Sequence, residues 1–552
     1  MYRRTLAALI AASAVAAGIA GCSSGQTPAA SQGHNSTLII EDNPVSPFTK
    51  DFNPFDTNST GTKVNAIGMI YEPLLQFNTM KPGTVYPWLA QSYKFSPDGK
   101  SITFNLRQGV KWNDGQPFSA QDVVFTFNLL KANKTINVNG INPTSVTAPD
   151  DHTVVLSFDS QQYTNLYFVG GQTYIVPQHI WSTIGDPATA TDADPVGTGP
   201  YKLAQFTPQG FTLSKVPTYW QADKVKITNL QFPSYVSNTT ASLALSHGQI
   251  DWGGNDIPNI QKTFVAADPT HNKYYFAPVN VVTLQLNVTK APLDDAAVRK
   301  AISAAIDRNQ LSQIGETGYE APATSSGGML LPTDQRFVVP ALNNDLTQDK
   351  NKVATLLQGD GYTMQNGKWT KNGQTIKFTL EDPSSYSDYF EDCNLISQQL
   401  NAQGFDTTVN GTTPDAWTAD YNSGNFGATL HWGKPGPSPY YQYVDWLDSR
   451  QSAPVGQTAG ADMSRFNNAD ALAALDQYAG TSDGAQQQDA LTKLQQILAD
   501  QAPVIPLLYG AAWDEYSTKK FTGWPTPDNP YMNPTPNSPF MEYTVLQLTP
   551  VS

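Results

Sequence analysis

Apolar and polar residues alternate most cleanly between Ala90 and Phe127, and that stretch predicts three elements in a row. A first strand ends near Phe95 and meets a turn at Pro97-Asp98-Gly99. Asp-Gly between two apolar runs is a hairpin signal, because glycine takes the positive φ that such a turn requires. The returning strand puts Ile102, Phe104 and Leu106 on one face and Thr103, Asn105 and Arg107 on the other. A second Asp-Gly turn at Asp114-Gly115 leads to Ser119-Ala-Gln-Asp122, a capping box whose hydroxyl and carboxylate satisfy orphan N–H groups at the start of a helix. That helix carries Val123, Val124, Phe127 and Leu130 at helical spacing.

The same patterning marks other elements. Leu38–Ile40 is a short strand, and Thr153 to Phe158 alternates Val154, Leu156 and Phe158 after the Asp150-Asp151 turn. Strands are expected at Phe211–Lys215 and Ile227–Phe232, followed by a helix around Ser237–Ser246. From Asp294, residues Ala297, Val298, Ala301, Ile302, Ala305 and Ile306 form one apolar stripe, with Asp294 or Asp295 as the cap. A long helix over Gly484–Gln501 carries Leu491, Leu494, Ile497 and Leu498 and stops before Pro503. There is no internal repeat.

With 552 residues the chain is too long for a single core. Charged residues are only 14% of it and Gly and Pro number 40 each, which fits a loop-rich α/β protein. The N-terminus reads as a processing segment: Arg3 and Arg4 precede an apolar run, Leu6 to Ala20, too short to span a bilayer. Ile19-Ala20-Gly21-Cys22 looks like a bacterial lipobox, so residues 1–21 are expected to be removed and Cys22 to carry lipid. Residues 22–35, rich in Pro, Ser, Gly and Gln, read as a flexible tether. Several acyl chains anchor a protein firmly where one does not, so the expected location is the outer face of the cell membrane. Net charge is −14, and losing the signal segment removes two basic residues and no acidic one. Such a surface argues against nucleic acid and against electrostatic docking on anionic lipid, leaving the anchor as the only membrane contact. Cys393 is the only other cysteine, so the mature chain has no internal disulfide; it reads as a small core residue on a helix over Glu391–Gln403.

Catalytic motifs are scarce. There is no Gly-x-Ser-x-Gly elbow, Walker loop, Gly-x-Gly-x-x-Gly or His-Glu-x-x-His. Ser517-Thr-Lys-Lys520 fits Ser-x-x-Lys, which would make Ser517 a nucleophile and Lys520 its partner, but the companion Ser-Asp-Asn and Lys-Thr-Gly motifs are missing and a polar strand end explains it better. The histidines (His34, His152, His179, His247, His271, His431) are scattered, with no pair at metal-ligand spacing, so neither metal nor cofactor is expected.

Several motifs occur in a recognisable order: Tyr71-Glu-Pro-Leu-Leu75, the Ala90–Phe127 stretch, Pro195-Val-Gly-Thr-Gly-Pro-Tyr201, Gly248-Gln-Ile-Asp251, Asp294–Arg308 and Pro503-Val-Ile-Pro-Leu-Leu-Tyr509. Together they resemble extracellular solute-binding protein family 5, whose members deliver oligopeptides and some other solutes to ABC importers. The resemblance implies a two-lobe α/β fold of periplasmic-binding-protein type with an extra small lobe and hinge closure around the ligand. The implied division is lobe I over 36–71, 195–289 and 503–552, the small lobe over 72–194, and lobe II over 290–502. It implies a non-enzymatic monomer whose partners are a small oligomeric solute and the permease and ATPase subunits of an importer.

The segment Thr429–Tyr443 is the expected ligand-facing stretch. By the resemblance, His431, Trp432 and Gly433 fall on a strand that pairs with a peptide backbone, and Gly61 on the facing segment of lobe I. The aspartate that captures a peptide amino terminus in the family does not carry over: Lys434 and Pro435 stand there, and the next carboxylate is Asp445. Aromatic residues take its place, among them Tyr440 and Tyr441, and Trp524 lies in a late loop similar to that of members binding β-linked oligosaccharides. Aromatic faces suit the C–H face of a pyranose as well as a side chain. The sequence thus leads to oligopeptide capture, with cello- or xylo-type oligosaccharides as the alternative.

Overall fold

The computed structural model describes residues 36–42, 44–536 and 540–551. The signal segment, Cys22 and the tether lie outside the described residues.

The hairpin forms as the alternation requires. Strands Ala90–Phe95 and Ser101–Leu106 pair antiparallel, Ile102, Phe104 and Leu106 are buried, and Gly99 sits at φ +70° in the turn. The helix Ala120–Ala132 starts at Ser119, with both halves of the capping box in place. With strands Ser145–Asp150 and Thr153–Ser157 this hairpin makes a four-stranded sheet, the centre of the small lobe. Asp295 caps Ala296–Ala305 and Asp483 caps Gly484–Gln501, as the sequence predicts. Cys393 is buried on Ser387–Ala402, a helix that begins four residues before the expected Glu391 and has no side-chain cap to mark its start.

Lobe I is a seven-stranded sheet. In spatial order its strands are Asn272–Tyr274, Glu515–Ser517, Trp252–Gly253, Thr37–Glu41, Asn229–Pro233, Gly210–Lys215 and Tyr201–Thr207. Thr37–Glu41 lies parallel to both its neighbours, so residues from the start, middle and end of the chain share one sheet. Lobe II is a six-stranded sheet in which Ala277–Leu286 lies between Val504–Ala512 and Ala428–Trp432, with Lys377–Pro383 and Asp406–Thr412 beyond.

This sheet membership moves two expected boundaries. Ala277–Leu286 and Val504–Ala512 belong to the lobe II sheet, not to lobe I as the resemblance implied. The chain crosses between the lobes at Tyr275–Phe276 and again at Trp513–Asp514. There the two segments run side by side, and the Tyr275 N–H donates to the Asp514 carbonyl at 2.9 Å.

The Pro195–Tyr201 loop returns the chain from the small lobe to lobe I. Its glycines are needed for close approach: a Cβ on Gly197 would lie 1.8 Å from the Ile70 carbonyl oxygen, and one on Gly199 2.5 Å from that of Met69. Beneath the loop lies a buried carboxyl pair. The Tyr219 hydroxyl is 2.9 Å from Glu72 Oε1 and 3.1 Å from Glu542 Oε1, and Gln76 Nε2 donates to Glu542 Oε2 at 3.0 Å. Burial raises both carboxyls, Glu72 to about 7 and Glu542 well above its ordinary value, which Glu72 also pushes up. The pair is stable while it carries protons.

Two outcomes are expected. Gly197→Ala forces backbone apart in a packed site and costs about 1–3 kcal/mol or more, read as a lower denaturation midpoint. For Glu72 and Glu542 the folded state holds protons that the unfolded chain releases above its ordinary carboxyl pKa. Their contribution is therefore complete below about pH 4.5; that of Glu72 is lost as pH rises through about 7, and that of Glu542 falls in the same direction. The thermal midpoint should fall by several degrees from pH 5 to pH 8, and Glu542→Gln should shrink that fall, because an amide replaces one of the protons.

Candidate functional site

Both lobes and the crossing segments enclose a cleft. One part, of about 450 Å³, is lined by Asp42, Asn255 and Asp256 at strand ends of lobe I, and by Asn280 and Trp513 at or beside the crossings. Glu320, Tyr386, Asp388, Tyr389 and Trp432 complete it from lobe II. It shares Pro44, Asn238, Asp256 and Ser385–Ser387 with a wider part of about 1200 Å³. The smaller part has four aromatic rings, amides, hydroxyls and carboxylates on its walls, and no Lys, Arg or His.

The carboxylates follow from strand ends and helix starts. Asp42 and Asp256 lie just beyond the strands Thr37–Glu41 and Trp252–Gly253, and Asp388 lies in the first turn of Ser387–Ala402. Burial raises Asp42 to about 8, Asp256 to about 6 and Glu320 to about 8, and Asp388 moves the same way. Neighbouring carboxyls add to it: Asp388 raises Asp256, and Asp388 and Asp256 both raise Glu320. The Ala511 N–H, 2.8 Å from Glu320 Oε1, opposes the rise.

Trp432 ends its strand 38% exposed, with its indole on the cleft. Behind it the rings stack: His431 lies 4.4 Å from Trp432 and 4.3 Å from Tyr421, near-parallel to the latter. His431 Nδ1 is 2.7 Å from the Trp432 carbonyl, and burial lowers the imidazole pKa, so the ring is a neutral packing group. Among the described residues no cluster of three or more His, Cys, Asp or Glu is arranged to hold a metal ion.

Of the eight residues expected at the ligand, the structure brings only Trp432 to this cleft. Gly433 and Lys434 line a small neighbouring cavity, and Lys434 Nζ lies 3.2 Å from Asp445. Gly433 packs under Trp446, where a Cβ would come within 2.9 Å of the ring. Tyr440 and Tyr441 are buried where lobe II meets the small lobe. The Tyr441 hydroxyl donates to the Thr164 carbonyl at 2.5 Å, its ring meets Tyr167 edge-on at 5.2 Å, and Tyr440 stacks on Tyr478 at 4.8 Å. Gly61 is buried, with its Cβ position 3.0 Å from Phe52. Trp524 is buried within lobe I, stacked on Tyr516 at 5.0 Å with its indole N–H on the Phe521 carbonyl. Ser517 ends a strand, its N–H donating to the Asp251 carbonyl at 2.9 Å, and Lys520 Nζ pairs with the Asp251 carboxylate at 2.9 Å.

The cleft residues missed from sequence lie far apart in the chain, at 42, 255–256, 280, 320, 386–389 and 513, so no single stretch marks the site. The one available signal was Trp513, four residues past the recognised Pro503–Tyr509 motif.

Strands Lys377–Pro383 and Ala428–Trp432 pair in register only at Leu380 and Ala428. Beyond that point the Asp382 carboxylate stands between them and accepts from the Leu430 N–H at 3.2 Å. The outer end of the Trp432 strand therefore has an open side next to the cleft.

Comparison with known proteins agrees with this architecture. The periplasmic oligopeptide-binding protein of an oligopeptide ABC transporter from Thermotoga maritima superposes with a TM-score of 0.85, at 23% identity, over 94% of this chain and 100% of that one. Its mannohexaose-bound form superposes at 0.79, with 22% identity, over 94% and 99%. The nickel-binding periplasmic protein of Escherichia coli (strain K12) is 26% identical over 399 residues, 68% of this chain and 72% of the relative. The glutathione-binding protein GsiB of Salmonella typhi is 29% identical over 279 residues, 49% of this chain and 52% of the relative. The profile of bacterial extracellular solute-binding proteins, family 5 Middle, matches residues 84–454, well over half the chain, and the protein belongs to that family.

Proposed function

We propose that this protein captures an oligosaccharide outside the cell membrane and presents it to the permease of an ABC importer. Family membership supports the importer role, since family 5 proteins bind peptides or related solutes and work with ABC permeases. The observation that carries the choice of solute is the lining of the cleft. Trp432, Trp513, Tyr386 and Tyr389 offer ring faces, Asp42, Asn238, Asn255, Asn280 and Glu320 offer oxygens and amides, and among the described residues of the smaller part no side chain is basic. Sugar C–H faces lie on aromatic rings while their hydroxyls donate to carboxylate and amide oxygens. A peptide's terminal carboxylate would find no counter-charge in this part. A related fold holding mannohexaose supports room for several sugar units in such a scaffold. Because the walls come from both lobes, a ligand touches all of them only in the closed form and shifts the population toward it. Cys22 would tether the monomer to the membrane, and ATP hydrolysis falls to the importer. An oligopeptide remains the second reading, favoured by the open side of the Trp432 strand, where a main chain can add as a further strand.

Thermal unfolding of a soluble form beginning at Ser36 separates the two. Manno-, cello- and xylo-oligosaccharides are compared with tri- to hexapeptides, each in excess. A ligand at a hundred times its dissociation constant stabilises by about 2.7 kcal/mol, a shift of several degrees. A shift with a sugar is expected; a shift with peptides alone overturns the sugar reading. Trp432→Ala should weaken sugar binding by roughly tenfold, about 1.4 kcal/mol, in calorimetry, with little change in the unliganded midpoint because the ring is partly exposed.

A further inference from the structure

We propose that the floor of the cleft is a cation subsite, in which Glu320, Asp256 and Asp388 receive a primary ammonium group of the solute, so that the captured oligosaccharide is an amino sugar oligomer. The proposal rests on the sugar reading for the carrier of the ammonium, while the subsite itself stands on the carboxylates.

Glu320 is 2% exposed yet lines the cavity. Its Oε1 is taken by the Ala511 N–H, and its Oε2 has no hydrogen-bond partner. A buried carboxylate oxygen left without a donor is costly, and here the side that is free of protein donors belongs to a residue of the cavity wall. Asp256 reaches the same cavity from lobe I and Asp388 from lobe II, so the acids converge from both sides of the hinge. Behind them Glu316 and Asp392 are buried against one another, a second pair of acids with no basic partner among the described residues. Among the described residues none of these five carboxyls joins an ion pair, and every side-chain charge that acts on Glu320 is itself acidic.

A group that satisfies this site brings several N–H donors and a positive charge. Water supplies donors without charge. A metal ion would need a set of three or more ligands at bonding geometry, and the described residues hold none. A primary ammonium has three donors on one compact charge, matching carboxylates that approach from different directions. Trp513 and Tyr389 on the same walls add ring faces, which attract an organic cation further. The raised pKa values of Asp256 and Glu320 fit a site whose counter-charge arrives with the ligand.

The test measures binding of the β-1,4 glucosamine tetramer and of its fully N-acetylated counterpart by calorimetry at pH 6, to the protein and to Glu320→Gln. The amide keeps an oxygen for the Ala511 N–H and removes the charge. The amine form should bind at least tenfold more tightly than the acetylated form, and Glu320→Gln should abolish most of that preference. Asp388→Asn provides the same comparison if the first variant does not fold. Equal or reversed affinity of the two tetramers, or a preference that survives the variants, overturns the subsite and leaves the sugar reading standing. If only tripeptides bind, and either N-acetylation of the peptide or Glu320→Gln removes that binding, the sugar reading falls and the cation subsite stands. Binding of none of these probes overturns both.

Discussion

Among the described residues two chain segments, side by side, carry the backbone from one large lobe to the other, and the rest of the molecule is arranged around that constraint. The ladder is continuous across the junction: Tyr274 pairs with Glu515, Ala277 with Ala512, and the Tyr275–Asp514 hydrogen bond lies between. Each lobe's sheet grows from one end of this ribbon. A two-stranded ribbon resists sliding, because its ladder fixes the register, but it can bend. The cleft sits beside it, with Trp513 on its wall and Phe276 packed edge-on at 4.8 Å against that indole.

Local structure was legible because its causes are local. The Asp98-Gly99 turn, the Ser119 capping box and the apolar stripe of Gly484–Gln501 each depend on residues within one or two turns of each other. The lobe boundaries were not legible for the opposite reason. Val504–Ala512 is buried along its whole length, so no alternation shows which sheet it joins, and membership is decided by pairing with a strand more than two hundred residues earlier. The motif order led to the correct family while misplacing those edges.

The site was legible in part. Trp432 lies on the cleft, but the tyrosines after it are spent on another contact, holding the small lobe against lobe II through Thr164 and Tyr167. Clustering in sequence marked a packed helix, Tyr440–Leu447, whose aromatic residues lie at core spacing. The carboxylates that shape the cleft cluster only in space. Asp42, Asp256, Glu320 and Asp388 are each unremarkable in their own segment. What distinguishes them is that, among the described residues, none of them forms an ion pair, a property of the fold that no short window of sequence contains.

The interleaving of lobe I has a kinetic meaning as well. A chain that emerges from its amino terminus presents Thr37–Glu41 first, but the sheet containing it is completed only by Glu515–Ser517, and Glu542 on the helix Phe540–Gln547 completes the contact to Glu72. Pairings of such long sequence separation form late, because the loop between them must first be closed. The amino-terminal segment therefore remains without its full complement of partners until nearly the entire polypeptide is available. Lobe I thus closes its sheet and its buried carboxyl pair only once the segments carrying Glu515 and Glu542 are available, whereas the small-lobe sheet is complete by Ser157.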